Sequence, residues 1–339
     1  MGVQLGEIVP RQEVSLESLR GLSVAIDAFN ALYQFLSIIR GHDGTPLKNR
    51  KGEVTSHLSG IFFRCCNLLK FGVRPVFVLD GEPPRLKKAE ISRRRASRAE
   101  ARAKYEEALA RGEAEEARKF AQASTTLEEY MVETSVRLLD AMGIPVVQAP
   151  SEGEAQAAHM AKSEVVWAAA SQDYDSLLFG APRLVRNVAI TGRRKLPNKP
   201  SYVEVKPELV VLEEVLKQNG ISQDQLVTIG LLVGTDFTPG VRGLGPKTAL
   251  KLVKQGKTVD EIYRERGLEK PPELDDARDF FTKPKVLEDV DLEWRAMDVE
   301  AVVKYLRDEH DFSEERVRKA AEEVATAQRG MKGSLSKWL

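Results

Sequence analysis

The sequence predicts an α/β fold: a central twisted, mostly parallel sheet flanked by helices. Three observations predict it. Strand-like apolar runs recur along the chain and alternate with helical patterns. Several of those runs end in an acidic residue, and open α/β sheets bind ligands at the carboxyl ends of their strands. The chain has 339 residues, 42% of them hydrophobic, enough to bury a substantial core in one or two domains.

The elements follow in order. LSVAID reads as a strand ending at Asp27. The segment from Thr55 to Phe71 has helical periodicity. PVFVLD reads as a strand ending at Asp80, and IPVVQAP leads into Ser151 and Glu152. In SEGEAQAAHMA, Ser151 and Glu154 have the spacing of a capping box at a helix start. The box does not explain Glu152, although both carboxylates would sit in the first helical turn, where the dipole favours anions. VVWAAASQD reads as a strand ending at Asp173, with Asp175 two residues on. In an extended chain residues i and i+2 share a face. Two carboxylates about 4 Å apart repel by roughly 4 kcal/mol at an effective dielectric of 20, so the pair needs a cation. Asp236, in VGTDFTPG, follows an apolar helix and precedes a Pro-Gly turn.

Each of these acids alone also suits a turn or a cap. Turn capping does not predict that separate strands of one sheet place acids on the same edge. Asp27, Asp80, Glu152, Glu154, Asp173, Asp175 and Asp236 are hard oxygen donors with no neighbouring His or Cys. They suit Mg²⁺ or Mn²⁺ rather than zinc. Seven carboxylates exceed the needs of one Mg²⁺ and fit two ions about 3.5–4 Å apart, an arrangement that clamps a phosphodiester.

Charge is balanced overall, with 51 basic and 51 acidic residues, so the total implies no attraction to nucleic acid or membrane. Its distribution is uneven. Between Arg85 and Lys104 lie nine Lys or Arg and two Glu. No large apolar residue falls between Ile91 and Tyr105, so this helix is polar all round with no core to join. Lys87, Arg94, Arg98 and Arg102 share roughly one face. A second basic element is TPGVRGLGPKTALKLVKQG, at residues 238–256. It reads as a helix–hairpin–helix with Pro246 at the first helical position and Gly256 as the stop. Gly243 and Gly245 expose backbone amides suited to phosphate. Lys247 and Lys251 add charge for backbone contacts without sequence readout. Adjacent Cys65 and Cys66 suit a reduced, intracellular protein. No apolar run approaches 18 residues and the first residues carry no signal-peptide pattern, which leads us to expect a cytoplasmic protein without membrane attachment.

The stretches VAIDAFNALYQFL, VTSHLSGIFFR, PVFVLDGEPPRLK, PSEGEAQAA, SQDYDSLLFG, VGTDFTPGVRGLGPKTAL and EHDFSEERVRKA together resemble the flap endonucleases, structure-specific 5′ nucleases of DNA replication and repair. The resemblance covers nearly the whole chain, and the short C-terminus is similar to archaeal members. It implies a PIN-like 5′ nuclease fold and a monomer with a single nuclease domain over 1–327. Within it would lie a helical arch at about 81–130 and a helix–hairpin–helix at about 224–256. It implies two Mg²⁺, with Mn²⁺ as an alternative: one held through Asp27, Asp80 and Glu152 with Glu154 nearby, the other through Asp173 and Asp175 with Asp236. Lys87 and Arg94 match the arch-base residues that act on the scissile phosphate. Tyr33 matches an aromatic that stacks on a base, and Arg40 and Arg64 match positions near the duplex. Leu47 and Thr55 fall in the segment that receives a 3′ flap. K⁺ at the hairpin is implied as well. The implied substrate is branched DNA with a 5′ flap, with 5′ exonuclease activity alongside. A sibling nuclease acting on bubbles or junctions is the nearest rival. A DNA-binding scaffold has no need of seven mutually repelling acids, and a Mg²⁺-dependent phosphatase has no need of the arch or the hairpin.

Residues 328–339 read as a flexible tail that binds a ring-shaped sliding clamp. Lys332, Leu335, Trp338 and Leu339 take the places of the family's clamp-binding box. Lys stands where the family has Gln, and Leu where it has a second aromatic.

Overall fold

The computed structural model describes residues 2–41, 44–190, 192–195 and 202–335. The strands are β1 (Gln12–Glu13), β2 (Ser23–Asp27), β3 (Arg74–Leu79), β4 (Val146–Gln148), β5 (Ala168–Ala170), β6 (Arg183–Arg186), β7 (Gly192–Lys195), β8 (Tyr202–Val205) and β9 (Glu208–Val211). Seven of them form one sheet in the order β1-β9-β6-β5-β2-β3-β4, while β7 and β8 pair with each other. From β4 to β6 every neighbouring pair is parallel. The far edge, β9 and β1, is antiparallel. The expected α/β sheet is therefore present, with a short antiparallel margin.

Side chains alternate across this sheet as a pleated strand demands. Val24, Ile26, Phe77, Ala168 and Ala170 face one core. Ala25, Val76, Val78 and Ala169 face the other. The first core is covered by α1 (Ala28–Ile38), α2 (Ser56–Lys70), α5 (Glu129–Ala141), α13 (Val299–Lys304) and α14 (Glu314–Leu335). On α2, Leu58, Ile61, Phe62, Cys65 and Cys66 are buried at helical spacing. The second core lies under α6 (Gly153–Lys162), α7 (Asp175–Leu178), α8 (Leu212–Asn219), α9 (Gln223–Val233), α10 (Pro246–Lys254), α11 (Val259–Glu265) and α12 (Leu274–Thr282).

Two helices complete the chain: α3 (Lys88–Ala110) and α4 (Ala114–Ala123). They lie in the segment expected to form the arch, and they pack on each other. The expectation of a polar helix with no core to join needs correction. Ala101 and Ala108 of α3 and Ala117 and Ala121 of α4 are buried. A core built of alanines is invisible to a search for large apolar residues. The final helix also departs from expectation. It runs past residue 328 to Leu335, so no helix end marks the start of the tail. The side chains of Lys332 and Leu335, and the whole of Trp338 and Leu339, lie outside the described residues. Among the described residues no helix is long and apolar enough to cross a membrane.

Candidate active site

Register explains why the acids meet. Asp27 sits opposite Val78, Ile26 opposite Ala170, and Leu79 opposite Gln148. The carboxyl ends of β5, β2, β3 and β4 are thus level. The chain leaves β2 for β3 on one side and returns to β5 on the other, which makes this the topological switch point where such sheets open a crevice. Asp27 ends β2, and its Oδ1 accepts the Asn30 N–H at 3.0 Å, capping α1. Asp80 follows β3, and its Oδ1 accepts the Gly153 N–H at 2.6 Å, at the start of α6.

Three local expectations are corrected here. The capping residue of α6 is Glu152, not Ser151, and the α6 start has no side-chain cap of its own. Glu154 instead accepts from Ser176, from N at 3.0 Å and from Oγ at 2.7 Å, which ties α6 to α7. Asp173 and Asp175 do not share an extended strand. β5 ends at Ala170, and Asp175 is the first residue of α7. Their proximity comes from a turn and a helix start rather than from strand period.

Residues that sequence reasoning passed over hold these acids. The Val3 N–H donates to Asp175 Oδ1 at 2.8 Å. Gly2 runs so close that a Cβ there would lie 2.7 Å from Asp175 Oδ2, so no larger residue fits. Asn30 Nδ2 donates to Asp173 Oδ2 at 3.1 Å. A lone glycine near a chain end gives no sequence signal of such a contact.

The electrostatics are those of a crowded anionic site. Burial, and then repulsion from Asp80, push Asp27 up to about 8. Burial and then Asp173 push Asp175 up to about 7, against the pull of the Val3 N–H. Burial followed by Asp175, Asp173 and Asp27 holds Glu154 well above the carboxylate range. Burial also raises Asp80 and Glu152, with Lys87 opposing it in both. Lys87 Nζ donates to Glu152 Oε2 and lies 4.0 Å from Asp236 Oδ2. Arg94 Nη2 donates to both oxygens of Asp236 at 2.6 Å. Burial works against charge on Lys87 and Arg94, but the acids around them outweigh it and hold both fully protonated.

Among the described residues no three acidic, His or Cys side chains are drawn together tightly enough to hold a metal ion as they stand. The donor set nevertheless fits hard divalent cations. It consists of carboxylate oxygens at one sheet edge, of which Asp27, Asp80, Glu152, Glu154 and Asp175 are raised in pKa, first by burial, and a divalent ion would stabilise their charged forms.

The other predicted residues are placed less uniformly. Tyr33 lies on α1 beneath the arch, with Arg98 over its ring at 4.6 Å and Arg98 Nη1 3.1 Å from its hydroxyl. Arg40 is engaged within the chain: Nη1 donates to Gly44 O at 3.0 Å and Nη2 to Thr125 Oγ1 at 2.7 Å. That joins the loop after α1 to the foot of the arch. Arg64 is partly buried on α2. Leu47 is 36% exposed, and its O accepts the N–H of buried Thr55. Gly243 has φ +76° and open space around it, and Gly245 caps α10 with Pro246 at its first position. These turns join α9 to α10. Lys247 lies 3.5 Å from Glu7, and Lys251 is on the last turn of the same helix.

Comparison with known proteins agrees with this architecture. The XPG N-terminal domain matches residues 1–101 and the XPG I-region matches residues 143–236. Flap endonuclease 1 of Thermococcus onnurineus is 54% identical over 340 residues, covering 100% of this chain and 99% of that protein. The structure of flap endonuclease-1 from Methanococcus jannaschii superposes with a TM-score of 0.77 at 42% identity, covering 97% of this chain and 100% of that one. The catalytic core of Rad2 in complex with a DNA substrate has a TM-score of 0.69 at 23% identity over 94% of this chain and 97% of that one, a likeness of fold alone. Identity at this level over the full length, on the same fold, shows that the chain belongs to the flap endonuclease 1 family.

Proposed function

We infer that the chain is a metal-dependent 5′ flap endonuclease, hydrolysing a phosphodiester where single-stranded DNA meets duplex. One observation carries this reading. Acids from four neighbouring parallel strands and the α9–α10 hairpin lie directly under a basic arch whose first cations reach into them. Two divalent ions, Mg²⁺ or Mn²⁺, would supply a nucleophile of lowered pKa and charge stabilisation at the phosphoryl oxygens. Asp27, Asp80, Glu152 and Glu154 would hold one, and Asp173, Asp175 and Asp236 the other.

The remaining work belongs to the chain. Lys87 and Arg94 donate to the scissile phosphate as its charge grows. Tyr33 offers its ring to a base beside the cut, which fixes the strand. The amides of Gly243 and Gly245, with Lys247 and Lys251, grip the duplex backbone, and K⁺ held by backbone carbonyls of the hairpin would add positive charge there. Leu47 and Thr55 border the place of a 3′ flap. The oxygen of the attacking water bonds to phosphorus as the bond from phosphorus to the 3′ oxygen breaks, leaving a 3′ hydroxyl on the released flap and a 5′ phosphate on the nicked duplex. The enzyme serves replication, through processing of lagging-strand fragments, and repair. It works as a cytoplasmic monomer, and its C-terminal residues Lys332, Leu335, Trp338 and Leu339 dock on a sliding clamp.

A cleavage assay on 5′ flap, bubble, Holliday junction and single-strand substrates, with and without Mg²⁺, tests the reading. We expect Mg²⁺-dependent cleavage with the flap preferred. Equal cleavage of flap and junction, or cleavage in excess chelator, overturns it.

A further inference from the structure

Three cations at the foot of the arch point inward. Lys87 precedes α3 and donates to Glu152, with Asp236 at 4.0 Å. Arg94 covers both oxygens of Asp236, and its Nε donates to Glu90 Oε1 at 2.7 Å. Arg98 lies over Tyr33. Residues 94 and 98 fall on one face of α3, and Lys87 stands at its N-terminal end. The Lys87 side chain is 15% exposed and those of Glu152 and Asp236 are 10% and 12%, so these are enclosed contacts rather than loose surface pairs.

The oxygens they occupy are the ones a divalent ion needs. A carboxylate turned to an ammonium or guanidinium is turned away from a coordination shell, and a cation left at that distance repels the incoming ion. This matches the geometry above, in which the acids are gathered at one edge but no three close on a single point.

We propose that Lys87 and Arg94 are the site's own counterions, and that divalent ions load by displacing them, which unfastens the arch from the sheet edge and turns both cations toward a phosphate. The proposal rests on the reading of these acids as metal ligands. Displacement is reciprocal: whatever frees the arch tightens metal binding, and metal binding frees the arch to the same extent. Arg98 on Tyr33 acts in the same sense, since a base stacking on that ring must first move the guanidinium.

The test is calorimetric titration of Mn²⁺ into the full, DNA-free chain, with amide hydrogen exchange read across residues 86–98. Lys87→Ala and Arg94→Ala, with Lys87→Gln and Arg94→Gln as milder variants, should bind Mn²⁺ about tenfold more tightly than wild type. Lys88→Ala removes the same charge from an exposed neighbour and should change affinity by less than about twofold. Exchange across 86–98 in the wild type should quicken on adding Mn²⁺. A wild type that binds no Mn²⁺ sinks the metal-site reading and the proposal together. Normal binding with no gain in the Lys87 and Arg94 variants, an equal gain in Lys88→Ala, or unchanged exchange overturns the proposal alone.

Discussion

Asp27→Asn should stabilise the metal-free protein while destroying its activity. Asp27 ionises at about 8 in the folded chain against an ordinary 3.8. Between those values the folded state holds a proton that the unfolded state has released. Stability contributed by this proton is therefore complete below the ordinary value and is lost as pH rises through about 8. Asp175, at about 7, has the same sign. His57 has the opposite sign. Burial, and then His310, hold it near 3, so its contribution is present above 6.5 and lost as pH falls. Above pH 6.5 the unfolded-state histidines are mostly neutral, so the acids dominate the slope. One proton shared by the acidic cluster costs up to about 1.4 kcal/mol per pH unit. From pH 6.5 to 8 the metal-free wild type should therefore lose about 1–2 kcal/mol. Asn keeps the oxygen that caps α1 and removes the charge, so the variant's loss should be at least halved. Guanidinium melts in excess chelator at pH 6.5, 7.2 and 8 measure this. A wild-type midpoint that is level or rising over that range, or an Asn variant that parallels it, refutes the reasoning. Millimolar Mg²⁺ should remove most of the slope, because ions bound to the folded site favour ionised carboxylates.

Other expectations are simpler. Asp173→Asn should cut flap cleavage by about a thousandfold or more while flap binding in Ca²⁺, followed by fluorescence anisotropy, stays within about threefold. Lys247→Ala with Lys251→Ala should weaken duplex binding across sequences and lower the slope of log affinity against log salt by about one for each phosphate no longer neutralised; an unchanged slope removes the hairpin from the interface. Trp338→Ala should leave clamp-free cleavage unchanged and abolish stimulation by the cognate clamp, because an aromatic anchor carries most of such a short interface. Persistent stimulation would exclude the tail as the docking element.

What could be read from the sequence was whatever rests on one residue and its immediate neighbours. Asp27 and Asp80 were legible because an apolar run ending in acid is a local pattern, and parallel register then aligns the ends. Pro246 and Gly256 marked the second helix of the hairpin for the same reason. The failures share a cause as well. Strand period would place Asp173 and Asp175 on one face, but β5 is only three residues long and period has no meaning beyond it. Glu154 has the spacing of a cap, yet the hydroxyl of Ser176, twenty-two residues away, competes for its oxygen and wins. Gly2, Val3 and Asn30 touch the acids through tertiary packing that no window of sequence contains. The arch hides its interface in alanines, which contribute to helix propensity and burial alike.

The level ends of β5, β2, β3 and β4 also bear on the life of the chain before it is native. The acids come from positions as distant as 27 and 236, and parallel neighbours cannot pair through short hairpins. Every such pairing closes a long loop first, which makes this topology slow to complete. No fragment and no half-built intermediate gathers the acids at one edge. The full acidic set therefore exists only once β5, β2, β3 and β4 have paired and the turn that carries Asp236, beyond the last strand, has packed against them.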